Sequence, residues 1–527
     1  MFDTLLRGGT VIDGTGRAAF AADVAIENGK IAAVGQLSHA QARRTVDCAG
    51  MTVTPGFIDI HRHADGAAFR PGFGEWELCQ GLTTIVNGNC GLSAAPFGPD
   101  NEAAIRAYLQ PITGDLPPRL DSRSLAGYFR SLPALPLNVG MLVGAGTLRA
   151  DAAGYQLTEL ADGHFAAIHC QMEQALSDGA LGVSLGLGYA PECFYSTADL
   201  IRALQPVAGT DIPVTVHMRQ EGGGVVESVR EMIAVARALD CPVHISHLKA
   251  MGRDNWGKKI PQVLTLLEQA QNEGLRVDCD VYPYTAGSTQ LLHILPPDYL
   301  TGGMEAVVER LRDKNVRREL AARIESGVGF DDIAKLAGWD GIYLTSLHCP
   351  EDHPYQGHNL MEIAALMGQD PLSSCCELLA REHGQITMID FMASEEDICA
   401  ILRSPLSCVI SDATYPTEGQ LHPRVCGNVT HLLEHFVREK KALSWEQAVH
   451  KLTGRPAQVL GLTGKGRLKA GCDADVCMFA PEALHERATY TEPQQTSQGM
   501  SLVLVAGEIA LENGKPTGIC AGRAVRR

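Results

Sequence analysis

Between residues 55 and 415 short apolar runs recur along the chain, and several of the gaps between them carry the period of an amphipathic helix. The runs are IDIH (58–61), TTIVNGNC (83–90), PLNVGMLVG (136–144), ALGVSLGL (180–187), PVTVHMR (213–219), PVHISHLK (242–249), RVDCDVYPY (276–284) and SCVISDAT (407–414). VVESVREMIAVARALD (225–240) and KIPQVLTLLEQAQNEG (259–274) place apolar residues three and four apart, so one face of each can be buried. Strands alternating with helices predict βα units and a parallel sheet. Eight strand candidates make a (β/α)₈ TIM-like barrel the natural closure of this α/β chain, with a doubly wound sheet as the alternative.

The rhythm breaks between 285 and 345, where GGMEAVVERLRDKNVRRELAARIES (302–326) reads as helix, and this predicts a small lid-like insertion. Both ends have a different texture. LLRGGTVID (5–13), ADVAIENGKIAAVG (22–35) and RTVDCAGMTVTP (44–55) read as strands punctuated by Gly and Asn-Gly, and GRLKAGCDADVCMF (466–479) and MSLVLVAGEIALENGKPTG (500–518) repeat that pattern. The two ends therefore predict one small β-sandwich domain, 1–54 with 465–527, around a catalytic barrel at 55–464.

A net charge of −17 without a run of five basic residues argues against nucleic acid and anionic membrane as partners. No basic n-region with an apolar stretch opens the chain and no 18 uncharged apolar residues run together, so a soluble, cytoplasmic protein is expected. Sixteen cysteines without a CxxC pair indicate neither a disulfide framework nor a zinc ribbon.

In a parallel barrel, chemistry collects where strands end, because the following loops converge there. The first run ends in His61 and His63, whose spacing puts both on one face of an extended chain. The second ends in Cys90 after Asn87 and Asn89, the fifth carries His217, the sixth His244, His247 and Lys249, and the last ends in Asp412. Singly, each has an ordinary explanation: a polar strand end, a core cysteine, a helix cap. Together, at one edge of successive strands, they form a constellation, with His244 set one step back as structural. Imidazole and thiolate suit Zn²⁺, and such a set can serve two adjacent metal positions. A metal with an open position beside a carboxylate activates water, so the chemistry indicated is metal-assisted hydrolysis with Asp412 as the proton carrier.

TPGFIDIHRH, NGNCGLS, VTVHMRQEGGG, HISHLKAMG, DVYPYTAGST, ISDATYP and the later HPR, in that order, resemble the N-acyl-D-amino-acid deacylases (D-aminoacylases) of the amidohydrolase superfamily. The likeness covers nearly the whole chain, and Asn89-Cys90-Gly91 is its most specific part, because many superfamily members carry a carbamylated lysine where this group has a cysteine. The resemblance implies a tight zinc on Cys90, His217 and His247 and a second, weakly held position on His61, His63 and Asp412, with Asp412 as general base and then acid. It implies that Lys249, Tyr282 and Ser288 meet the α-carboxylate of a small-molecule N-acyl amino acid and that Tyr189 hydrogen-bonds the scissile carbonyl.

Two departures bear on substrate scope. The family's Ser-Asp-Gly is here Ser-Asp-Ala, so Ala413 is expected to crowd a loop requiring positive φ. The Gly-Thr-Phe that often follows HPR is replaced by GNVTHLL (427–433). After DVYPYTAGST the segment STQLLHILPP offers only His293 as a cation, which points to neutral or apolar side chains rather than glutamate. The rivals are hydrolysis of a cyclic amide such as a hydantoin or dihydropyrimidine, disfavoured by Asn-Cys-Gly, and a catalytically silent binding relative, disfavoured by Asp412.

Overall fold

The computed structural model describes residues 1–327 and 329–527; Val328, inside the expected insertion, lies outside the described residues. Parallel pairing runs from Phe57–Asp59 to Leu82–Asn87, on to the stretch 138–144, and then through Val183–Gly186, Val214–His217, Val243–Ile245, Val277–Val281 and Ser407–Val409. The ring closes between last and first: Asp412 N donates to His61 O and His63 N to Ala413 O, both at 2.9 Å, around a parallel bridge of Arg62 with Ala413. These are the eight strands of the expected barrel. Asp59 pins the closure from inside, its Oδ1 accepting from His61 N (3.2 Å) and Ser411 N (3.1 Å) and its Oδ2 from Ser411 Oγ (2.5 Å).

The strands are short and buried on both faces, as a helix-covered parallel sheet requires. The helices Val225–Leu239 and Lys259–Asn272 fall where their periods predict and bury Val229, Met232, Val263 and Leu267 against the sheet.

The terminal segments form the expected separate β domain, hydrogen-bonded as one nine-stranded sheet that joins both ends of the chain. Thr52–Pro55 is the reason: it pairs with Phe2–Val11 on one side and antiparallel with Val476–Phe479 on the other, so hydrogen bonding runs unbroken from N-terminal to C-terminal strands. Leu6, Val24, Val476 and Leu504 pack together as its core. The last residues leave this sheet. Val139 N donates to Arg523 O and Val525 N to Val139 O, so the tail packs on the barrel instead of completing the expected 465–527 unit.

The insertion is larger than the expected 285–345. Ala286–Gln290 and Ile342–Ser346 both pair antiparallel with Thr387–Phe391, which lies between them in a three-stranded sheet. Leu291, Val307, Leu344, Leu378 and Met388 build a core of its own, so the unit reaches past residue 345 to at least Phe391. No helix among the described residues is long and apolar enough to cross a membrane.

Candidate metal centre and active site

Three of the constellation's residues hold a backbone conformation that L side chains rarely adopt: Cys90 (φ 53), His247 (φ 37) and Asp412 (φ 53). Each lies two or three residues past the end of a barrel strand, and the left-handed turn there swings the side chain into the barrel mouth instead of along the strand. The surroundings hold these turns in place. Asn87 Oδ1 accepts from Ala64 N (3.1 Å), tying the loop before Cys90 to the first strand end, and Asn89 Nδ2 donates back to Val86 O (3.0 Å) within the loop. Gly91 follows at φ 73, where a Cβ would sit 1.8 Å from Glu192 Oε2, so the Asn-Cys-Gly sequence has a steric cause. His247 N donates to Asp280, and Asp280 also holds His244, whose other ring nitrogen meets Asp278 at 2.6 Å. His244 is thus a buried brace, as its position one step back implies. Ala413 carries no positive φ; that conformation falls on Asp412, and Ala413 is an ordinary buried strand-end residue, so the expected crowding does not arise.

The side chains converge. Cys90 Sγ lies 3.3 Å from His61 Nε2 and 3.5 Å from His247 Nε2, and His247 Nε2 is 3.1 Å from His217 Nδ1. Asp412 Oδ1 is 3.3 Å from both His61 Nε2 and His63 Nε2. A tetrahedral ion bonded at about 2.0–2.3 Å separates its ligand atoms by roughly 3.3–3.8 Å; the Cys90 and Asp412 spacings of 3.3–3.5 Å fall in that range and the 3.1 Å between His247 and His217 falls just below it. His61 Nδ1 and His63 Nδ1 are buried without a partner. Burial lowers His63 to about 4 and His217 well below the ordinary imidazole range, which keeps both neutral as ligands must be. The donor set of imidazole, thiolate and carboxylate fits zinc. Cys90 sits between the two histidine pairs, next to both.

His63, Cys90, Tyr189, His217, His247, Lys249, Tyr282, Ser288 and Asp412 all line one cavity; His61 lies behind it, its Nε2 against Cys90 and Asp412. Tyr189 packs at a tilt against His217 with ring centres 4.3 Å apart and shares a hydrogen bond with Thr289 (3.2 Å). Ser288 Oγ is 3.4 Å from Thr414 Oγ1.

Sequence reasoning passed over four groups here. Glu221 bridges His247 Nδ1 (2.9 Å) and Lys249 Nζ (2.8 Å), so Lys249 enters the site already paired. Burial alone would push Glu221 up, but Lys249, His217 and His247 hold it below the ordinary carboxylate range. Its signal was a position four residues after His217, in a loop where no period applies. Arg424, the third residue of HPR, is fully buried with Nη1 3.1 Å from Asp412 Oδ2. Burial opposes the charge of Asp412, yet Arg424, followed by His61 and His63, holds that carboxylate well below its usual range. Asp280 carried a signal only in its place on the strand RVDCDV. Asp390, on Thr387–Phe391, faces the cavity with Oδ1 unpartnered and is pushed up to about 6 by burial.

A model of the amidohydrolase family matches residues 44–511. The chain is 33% identical over 528 residues to the D-aminoacylase of Alcaligenes xylosoxydans xylosoxydans, covering 100% of this chain and 98% of that one. It is 35% identical over 529 residues to the N-acyl-D-glutamate deacylase of the same organism, covering 100% and 96%. A solved D-aminoacylase with a binuclear metal centre matches the whole chain at 32% identity with a TM-score of 0.83. The N-acyl-D-glutamate deacylase of Bordetella bronchiseptica, complexed with zinc and a phosphonate inhibitor, matches over 100% of both chains at 31% identity and 0.81. An L-hydantoinase of Arthrobacter aurescens, 16% identical over the full length of both chains with a TM-score of 0.57, shares the fold alone. By family match, full-length identity and fold together, the chain belongs to the amidohydrolase family, in the group of the N-acyl-D-amino-acid deacylases.

Proposed function

We propose that the protein hydrolyses the amide of N-acyl-D-amino acids to a carboxylate and a free D-amino acid, using zinc. Cys90, His217 and His247 would hold the tighter ion, and His61, His63 and Asp412 a second, weaker position. The observation that carries this reading is the convergence of Asp412 Oδ1 with His61 and His63 at 3.3 Å in the cavity that Cys90, His217 and His247 also line. When bound, zinc supplies a Lewis acid for the carbonyl oxygen and acidifies water toward pKa about 7.

The protein's own groups do the rest. Asp412, kept ionised by Arg424, takes a proton from the attacking water and returns it to the departing amide nitrogen. Tyr189, whose phenol burial holds well above its ordinary pKa, stays protonated and donates to the carbonyl oxygen as charge develops there. Lys249, Tyr282 and Ser288 orient the α-carboxylate, and Glu221 fixes both Lys249 and the ring of His247. A fixed carboxylate at one end and a fixed carbonyl at the other leave one hand of the α-carbon able to present its amide.

Neutral or apolar side chains fit best. The cation Lys249 is already paired with Glu221, and the unpaired charge-bearing group in the cavity is the carboxylate of Asp390, which repels an acidic side chain. N-acetyl-D-leucine and N-acetyl-D-methionine are expected to be hydrolysed by zinc-loaded protein, with no measurable turnover of the L forms or of cyclic amides such as hydantoin or dihydropyrimidine. Equal rates on both hands would remove the stereochemical reading, and turnover of cyclic amides alone would replace it. Glu221→Gln removes the charge that orients His247 and balances Lys249, and zinc retention against a competing chelator is expected to weaken roughly 10- to 100-fold. Unaltered retention would take Glu221 out of that role.

A further inference from the structure

A second groove adjoins the reaction cavity, and Tyr108 and Gln290 line both. Gln290 Nε2 donates to Tyr108 O at 2.9 Å, so these two residues form the threshold between them. One wall of the groove is a stripe of the helix Glu102–Thr113: Ala104, Ala107, Tyr108 and Pro111 fall at successive steps of three, one and three, which places them on one face. The facing wall comes from the insertion, through Leu292, Leu300, Met304 and Val307. Among the described residues lining it there is no Asp, Glu, Lys or Arg; His383 at the rim is its one ionisable side chain apart from the two tyrosines. A groove this apolar, opening beside a metal-binding cavity lined by ionisable groups, suits a hydrocarbon and not a second polar substrate.

The strand Ala286–Gln290 orders what lies along it. Ser288 faces the site proposed for the α-carboxylate, Thr289 is bonded to Tyr189 at the site proposed for the scissile carbonyl, and Gln290 stands at the threshold. One residue of strand spans about 3.3 Å, and the carboxylate and acyl carbonyl carbons of an N-acyl amino acid lie about one residue length apart, ~3.6 Å. A substrate laid with its carboxylate at Ser288 and its carbonyl at Thr289 therefore sends its acyl chain past Gln290.

We infer that the groove between the helix Glu102–Thr113 and the insertion is the acyl subsite, and that the preferred substrates are D-amino acids carrying a medium-length aliphatic acyl group rather than acetyl. This rests on the deacylase reading above and deepens it. The amino-acid side chain then lies in the inner cavity near Asp390 and Met392.

The test is kcat/KM for N-acetyl-, N-butyryl-, N-hexanoyl- and N-octanoyl-D-leucine on the wild type, Ala104→Trp and Ala107→Trp. Both alanines are exposed on the helix, so an indole there fills the groove without entering the core. The wild type is expected to gain about threefold per added methylene up to hexanoyl, and each variant to flatten that slope, with the hexanoyl-to-acetyl ratio falling at least tenfold. A flat or falling profile in a wild type that hydrolyses the acetyl substrate overturns the acyl subsite and leaves the deacylase reading standing. No turnover of any of the four overturns both. If the tryptophans instead flatten a slope measured by lengthening the D side chain of N-acetyl substrates, the groove holds the side chain and the assignment is wrong.

Discussion

Asp412→Asn is expected to lower kcat/KM for N-acyl-D-amino acids by roughly 10²- to 10⁴-fold, the range of a positioned general base, while the barrel stays closed. Asparagine is the replacement that isolates the charge. Position 412 holds φ 53, a conformation that Asn and Asp tolerate better than other L residues, so the turn at the end of Ser407–Val409 survives the change. The backbone hydrogen bond from residue 412 to His61 O does not involve the side chain. What disappears is the carboxylate that faces His61 and His63 through one oxygen and Arg424 through the other. Because those groups hold Asp412 below the ordinary carboxylate pKa of about 3.9, its protonation does not cut the wild-type rate until the pH falls below that value. The variant's loss is therefore expected to be uniform from about pH 5 upward. Retention of more than a tenth of the activity would assign the proton transfer to another group.

The same residue shows where sequence reasoning reaches and where it stops. The barrel was legible because apolar runs and helical periods alternate, and its polar strand ends were legible because a strand's period of two fixes which residues share a face. His61, His63, Cys90, His217, His247 and Asp412 all lie within such runs or one turn beyond them. Closure was not legible. It depends on Asp59 accepting from Ser411, 352 positions away, and on a left-handed turn at Asp412 that leaves Ala413 unstrained. Glu221 and Arg424 escaped because each lies in a loop or at a helix start and gains its meaning only from a side chain brought to it by the fold. The insertion was cut short for a similar reason: Thr387–Phe391 joins Ala286–Gln290 across about a hundred residues of sequence, and no local pattern announces that pairing.

Cys90→Ala is expected to abolish tight zinc binding, whereas His61→Ala and His63→Ala are expected to keep one tight zinc and lose most of the activity. Alanine meets no new backbone demand at φ 53 beyond what cysteine already meets, and Gly91, the steric hinge of the loop, is untouched. The thiol is buried and lies against two imidazoles, and burial pushes its pKa well up, so the thiolate exists there only with a cation to balance it. A structural zinc site is worth about 10–16 kcal/mol; one of three protein ligands accounts for roughly 3–5 kcal/mol, which is on the order of 10²- to 10⁴-fold in affinity. Removing His61 or His63 instead takes away a neighbour of Asp412 and leaves His247 in contact with both Cys90 and His217. Metal content after dialysis, set beside kcat/KM, separates the two kinds of loss. If purified Cys90→Ala keeps one tight zinc, the division of ligands is wrong, and the site's centre moves to the imidazoles of His61 and His63.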